Sequence, residues 1–269
     1  MVNVWQPPAW RPNFWGESPA YLPFAFLQPL LAHAGPPSAQ AMNAVADRLQ
    51  QRAENSQGQA IRFVEQAAGE RLAYEKHIFA TGEVPTRADN WHDFFNALVW
   101  LTFPRTKAAL NAAHMRAMQL PQQGRGRTRD ALTLLDESGV LVVSSVADLL
   151  DGLRRHEWRR VFWQERANLL QHAGCWVFGH AILEKLLQPY VGLTAKAWLI
   201  SMPDAFFALP PEQQRQELDA WLAAQVDADA LQQPRDLRPL PVLGWPGWDA
   251  RNTGPEFYDN TDYFRPSSC

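Results

Sequence analysis

Four side chains, His92, Asp93, Asn96 and His114, are the best candidates in this sequence for acid–base chemistry. Imidazole titrates near neutral pH, so His92 or His114 suits the role of general acid or base. His92, Asp93 and Asn96 fall within Asn90-Trp91-His92-Asp93-Phe94-Phe95-Asn96-Ala97-Leu98-Val99-Trp100-Leu101-Thr102-Phe103. Wound at about 100° per residue, that stretch puts Phe94, Phe95, Ala97, Leu98 and Leu101 in one broad sector. Asp89, His92, Asp93 and Asn96 fill the other, beside Trp100 and Phe103. No Lys, Glu, Gln or Arg stands there, as one would on a solvent face. Short polar groups among aromatics indicate a buried or cleft-facing stripe, and such groups need partners.

Lys107, Asn111 and His114 recur at i, i+4 and i+7, hence on one face of a following helix. In a shared cleft they would meet His92, Asp93 and Asn96. On an isolated surface helix the same residues would be ordinary solvated groups. Arg125, Arg127 and Arg129, spaced by Gly and Thr, form a basic cluster suited to a phosphate or carboxylate, with Lys107 and Asn111 as further binding residues. A solvated basic loop is the plainer account of it. His180 and Glu184, one turn apart, are the candidate metal ligands, or a histidine base with its orienting carboxylate. The second histidine of His-Glu-x-x-His is missing, and a lone histidine on an apolar face is more often a hydrogen-bonded core residue. Asp136 and Glu137 suit a turn. A carboxylate site built from Asp93, Asp136 and Glu184 has no spacing to support it. There is no phosphate-loop or dinucleotide fingerprint, which leaves the cofactor unknown, and no nucleophile elbow marks a reactive serine. Cys175, among Trp176, Val177 and Phe178, is expected to be buried and inert.

The elements that must position these groups are mostly helices. A helix over 39–54 starts at a Ser38 cap. Residues 60–65 and 71–79 alternate like one β-hairpin, and 131–135 with 140–144 like a second. Pro104 opens a helix to about Met118, 119–128 forms a loop, and three helices follow from Ser145, Glu157 and Cys175. Residues 194–201 form a strand, and an amphipathic helix starts at Pro210 or Pro211. The expected class is α+β, predominantly helical with two short β-hairpins, in one domain over 1–269. Aromatic and proline-rich arms at 1–38 and 234–269 pack on the body, burying their rings.

The totals narrow the function. A net charge of −3 gives no bias toward nucleic acid, and none is expected as a partner. With 46% hydrophobic residues the chain can bury a sizeable core. No uncharged apolar stretch approaches the length of a bilayer span, and the N-terminus has no signal-peptide pattern. Two cysteines make no disulfide framework, which fits a cytoplasmic protein.

The run from Asn90 through Pro104, Lys107, Leu110, Asn111 and His114 resembles an uncharacterised proteobacterial family, the domain of unknown function three thousand and twenty-five. Arg129-Asp130-Ala131-Leu132-Thr133, Asp136-Glu137-Ser138-Gly139-Val140, Gly179-His180-Ala181-Ile182-Leu183-Glu184, Gly192-Leu193-Thr194-Ala195-Lys196 and Asn260 to Pro266 carry the same resemblance. It implies a bacterial, intracellular, single-domain protein. It supplies no substrate, cofactor or catalytic residue. Two readings stand side by side. One is a small hydrolase or transferase acting on an anionic small molecule through a His/Asp/Asn pocket. The other is a non-catalytic scaffold whose stripe is a structural hydrogen-bond network and whose aromatic arms, rich in the 12 tryptophans, contact a protein partner. An open pocket favours the first, and mutual closure of the polar groups the second.

Overall fold

The computed structural model describes residues 5–31, 37–49, 52–66, 73–119 and 122–267. Helices dominate, and the strands lie in two small sheets, so the class is predominantly helical α+β. The strands do not pair as hairpins, however. β1 (Arg62–Glu65) lies parallel to β2 (Glu83–Thr86). Parallel neighbours need a crossover, and helix α2 (Tyr74–Thr81) supplies it where a strand over 71–79 was expected; residues 71 and 72 of that expectation lie outside the described ones. Gly82 ends α2 at φ 75°, and a Cβ there would stand 2.6 Å from the Ala60 carbonyl oxygen. Only glycine fits that turn. The helix that Ser38 caps, α1 (Ala39–Ala46), stops short of the expected end, although Ser38 Oγ does accept from the Ala41 amide.

Helix α3 (Trp91–Thr102) is capped by Asn90, whose side chain accepts from the Asp93 amide at 3.0 Å. Pro104 opens α4 (Pro104–Ala117) at the one position where a missing N–H costs nothing. Next comes α5 (Gln122–Ser138), in place of both the expected loop and the strand over 131–135. The helical period explains the strand's failure, since Ala131 and Leu132, both buried, lie one turn before the buried Leu135. β3 (Gly139–Ser144) follows directly and is buried along its whole length. After α6 (Ala147–Arg154) and α7 (Arg166–His172), residues 175–188 form no single helix. They divide into the end of β4 (Ala173–Val177) and α8 (His180–Lys185), turning at Phe178-Gly179. β5 (Thr194–Ser201) has the expected bounds. α9 (Asp204–Phe207), α10 (Pro211–Asp227) and β6 (Arg238–Pro241) complete the chain's regular elements. The sheet order is β4-β3-β5-β6, with β3 and β5 parallel and both outer pairs antiparallel.

Both arms are built into the core. Pro23 and Pro29 hold Pro19–Leu30 in tight 3-10 turns rather than an α-helix. Phe14, Tyr21, Phe24 and Leu27 are fully buried there. Phe14 meets Phe95 edge-on at 5.5 Å and Tyr21 stacks on it at 5.8 Å, so the arm covers α3. At the other end Tyr258, Tyr263 and Phe264 are buried, and the Tyr263 hydroxyl donates to the Leu193 carbonyl at 2.7 Å.

Asp219 fixes the start of α4 from α10. Its carboxylate accepts from the amides of Arg105 (3.1 Å) and Thr106 (2.8 Å) and from the Thr106 hydroxyl (2.7 Å). These are donors that the first turn of a helix leaves unpaired. Burial pushes the Asp219 carboxyl above its usual pKa despite the bonds, so part of their gain is offset. Asp219→Ala is expected to lower stability by about 2–3 kcal/mol, since buried unpaired donors cost about 1–3 kcal/mol each. Denaturant unfolding tests this, and a loss under about 0.5 kcal/mol would show that the first turn of α4 finds other partners.

Candidate active site

Five helices meet at one cleft of about 260 Å³. α3 contributes His92, Asp93 and Asn96, α4 contributes His114, and α5 contributes Thr133, Asp136 and Glu137. His180 comes from the first turn of α8, and Tyr74 and Glu75 from α2. Two glycines allow the α5–α8 approach. The amides of Phe178 and Gly179 both donate to the Gly139 carbonyl, at 3.0 and 2.7 Å. A Cβ on Gly179 would collide with the Gly139 nitrogen and stand 2.6 Å from the Glu137 backbone carbonyl oxygen. Any side chain there would push His180 away from Asp136 and Glu137.

The two imidazoles face each other. His92 Nε2 and His180 Nε2 stand 3.0 Å apart, with the rings nearly perpendicular. Behind His92, Nδ1 is 3.2 Å from Glu184 Oε2. Behind His180, Nδ1 lies 3.9 Å from Asp136 Oδ2. The hydrogen bond to Glu184 raises the His92 pKa against the opposing effect of burial. Burial pushes His180 down to about 3. His92 is therefore the more basic of the two rings.

Lys107, only 4% exposed, ties the rest together. Its ammonium donates to Asp136 Oδ1 at 2.5 Å and to Asn96 Oδ1 at 2.9 Å. Burial acts to raise the Asp136 pKa, but Lys107 and His180 outweigh it and the carboxyl stays below its usual value. Asn96 in turn donates to the Tyr74 hydroxyl at 2.6 Å. Burial pushes that phenol well up, so it keeps its own hydrogen to give. Asp93 holds Arg87 through two side-chain bonds of 2.8 Å and its backbone amide at 2.7 Å. Asn111 donates to the Glu75 carbonyl and carboxylate. Three buried atoms here have no hydrogen-bond partner: Asn111 Oδ1, His114 Nδ1 and His180 Nδ1.

Of the expected grouping, His92, Asp93, Asn96 and His114 line the cleft, while Lys107 and Asn111 do not line it but bond to Asn96 and Glu75 in its wall. Two of the expected arginines, Arg127 and Arg129, are not part of it. Arg127 and Arg129 sit exposed on α5 and do not line the cleft, and the Arg125 side chain lies outside the described ones. Helix, not loop, carries this segment, and the helical period turns Thr133, Asp136 and Glu137 to the cleft instead. His180 and Glu184 are both present, but Glu184 bonds to His92. Sequence reasoning passed over Tyr74, Glu75, Arg87 and Glu137 as site residues, and weighed Asp136 only in a carboxylate site that no spacing supported. The signal for Asp136 and Glu137 was their place in a motif ending at Gly139, the glycine against which Gly179 packs. Cys175 is half-buried in β4, and desolvation raises its thiol pKa.

Among the described residues, carboxylates outnumber cations at this cleft. Glu75, Asp93, Asp136 and Glu137 line it against Arg87 alone. Glu184 and Lys107 stand directly behind. Three groups capable of holding a metal, His92, His180 and Glu137, bring one ligand atom each within 4.8 Å of one another.

The fold and this cleft define a mostly helical α+β protein with a histidine–carboxylate centre between helices. The chain belongs to the family Protein of unknown function (DUF3025), whose model matches residues 61–268. Every cleft residue falls within that match, as the resemblance in the Asn90, Asp136 and Gly179 motifs implied. Comparison with curated proteins and with solved structures gave no match. No helix among the described residues is long and apolar enough to cross a membrane.

Proposed function

We propose that the chain is a single-domain cytoplasmic enzyme of the hydrolase or transferase type, acting on a polar small molecule in the cleft. The observation that carries this reading is convergence. Ionisable groups from five helices surround one opening, and three buried polar atoms beside it lack protein partners. Buried unpaired polar groups cost stability and are kept where function uses them. The corner where His92 and His180 meet is the reacting end. His114, on α4, is the acid or base that faces the substrate. An anionic substrate fits only with a counter-charge, because Lys107 and Arg87 are already engaged by Asp136 and Asp93. The exposed arginines of α5 would at most steer it.

The scaffold reading has one observation on its side. Asp93, Asn96, Lys107 and Asn111 each bond to protein partners and form a network of their own. The arms favour it less, since most of their rings are spent on the core. Turnover decides between the two. The purified chain, with added divalent metals, is assayed against chromogenic phosphoesters, carboxyl esters and amides. His114→Ala is expected to fold and to lose about 10²-fold or more in rate, the usual range for one acid–base group. No turnover of any class, with His114→Ala unchanged in stability, would overturn the enzyme reading.

A further inference from the structure

We propose that His92, His180 and Glu137 bind one divalent transition-metal ion, coordinated by the two Nε2 atoms and the Glu137 carboxylate. Four independent features of the corner converge on this. First, ions of this kind hold imidazole nitrogens at about 2.0–2.1 Å, so two such ligands at a right or tetrahedral angle lie about 2.9–3.4 Å apart. The His92 and His180 Nε2 atoms are 3.0 Å apart. Second, His92 has a carboxylate on its far side, with Glu184 Oε2 3.2 Å from Nδ1; Asp136 Oδ2, 3.9 Å from His180 Nδ1, stands beyond hydrogen-bond reach. Histidines that ligate metals are oriented by such a group, which places the hydrogen on Nδ1 and aims the Nε2 lone pair at the ion. With the hydrogens on Nδ1, the two Nε2 lone pairs face each other and a cation between them satisfies both. Third, His180 Nδ1 is buried without a hydrogen-bond partner, so this ring is not held by protein bonds on that side. Fourth, the lining carries more carboxylates than cations, which favours a cation and disfavours a bare anion.

Two imidazoles with one carboxylate select zinc, cobalt, iron or manganese over magnesium or calcium, which prefer all-oxygen shells. Three protein ligands leave coordination positions free toward the cleft, the arrangement of reactive rather than structural sites. An ion there would polarise a bound water or an anionic substrate oxygen. It would also supply the counter-charge that an anionic ligand lacks. The use of the ion in turnover rests on the enzyme reading above, while its binding does not.

Cobalt(II) titration of the chelator-stripped full chain tests the site, read by visible ligand-field absorption and by calorimetry. One equivalent is expected to bind, with nitrogen-ligand bands. Glu137→Gln, a change at an exposed position, is expected to weaken binding at least 10-fold and to leave the melting temperature of the stripped chain unaltered. His180→Ala is expected to abolish the bands. His77→Ala, which removes a histidine paired with Glu83 away from the cleft, should bind like the parent. No binding, or equal binding in Glu137→Gln and the parent, overturns the proposal. Binding without turnover of any substrate keeps the ion and retires the enzyme reading. Turnover that survives both chelation and Glu137→Gln does the reverse.

Discussion

A chain beginning at residue 61, where the family match begins, is expected to lose cooperative folding. The match leaves out the first 60 residues, yet they complete the core. Phe14, Tyr21, Phe24, Leu27 and Met42 are each at most 1% exposed. Burial of a large apolar side chain contributes about 1.5–3 kcal/mol, so these five amount to roughly 10 kcal/mol, comparable with the whole stability of a typical domain. Ordering the arm costs entropy, which offsets part of that sum. The surface left behind is therefore the better guide. Phe95 is fully buried on α3, with Phe14 and Tyr21 packed against its ring. Trp91 and Phe94 beside it pack against Trp10 and Phe14. Without the arm, a contiguous aromatic patch on the helix that carries His92, Asp93 and Asn96 would face water, and such patches drive aggregation. The 61–269 fragment should show no sigmoidal melt and should bind a hydrophobic dye. A cooperative transition within a few degrees of the full chain would mean that the arm is ornamental.

The same arm illustrates what was legible in the sequence and what was not. Its prolines and rings announced an irregular segment that docks, because those residues forbid long helices and favour burial. Local signals served equally well for α3, for the Pro104 start of α4, for β5 and for α10. Each is set by a period or a breaker within its own residues. The strand partners were not legible, since alternation in Arg62–Glu65 says that a strand forms and nothing about what lies beside it. The run at 131–135 suits either period, and only the buried set of Ala131, Leu132 and Leu135 decides for a helix. The continuous apolar run after Cys175 hid its one break, Gly179, whose role depends on the distant Gly139. For the site, the faces of α3 and α4 were readable as helical spacing. Asp136 and Glu137 read as turn residues only if they sit in a hairpin, and the helix that carries them instead turns both to the cleft. The Nε2–Nε2 contact between His92 and His180, 88 residues apart, has no local signature at all.

The second large effect lies in the buried pair beneath the cleft. Lys107→Met is expected to destabilise the chain by about 3–5 kcal/mol, the usual cost of stranding one member of a buried ion pair. The reasoning turns on Asp136. Its carboxylate, half-buried in the wall of the cleft, keeps a pKa below its usual value because Lys107 and His180 outweigh the effect of burial. Without the ammonium at 2.5 Å, burial dominates and the carboxyl must take up a proton or stay charged at greater cost. Asn96 also loses the donor to its side-chain oxygen, 2.9 Å away in the parent. Pairing the change with Asp136→Leu removes the stranded charge, and the double variant is expected to regain most of the loss, because apolar replacements of buried pairs are often neutral or better. Denaturant unfolding of the parent, both single variants and the double variant gives the coupling energy directly. A Lys107→Met chain within about 1 kcal/mol of the parent would mean that water reaches the pair and screens it. The double variant also separates two roles. If the pair serves only the fold, restoring stability should restore whatever the cleft does. If Asp136 is also the group that orients His180, the repacked chain will be stable and its cleft will hold cobalt(II) more weakly than the parent, by about 10-fold or more, as loss of a carboxylate that steers a ligating histidine does. The stability of a protein and the service of its reactive centre would then be carried by one carboxylate, with Lys107 holding it charged for both.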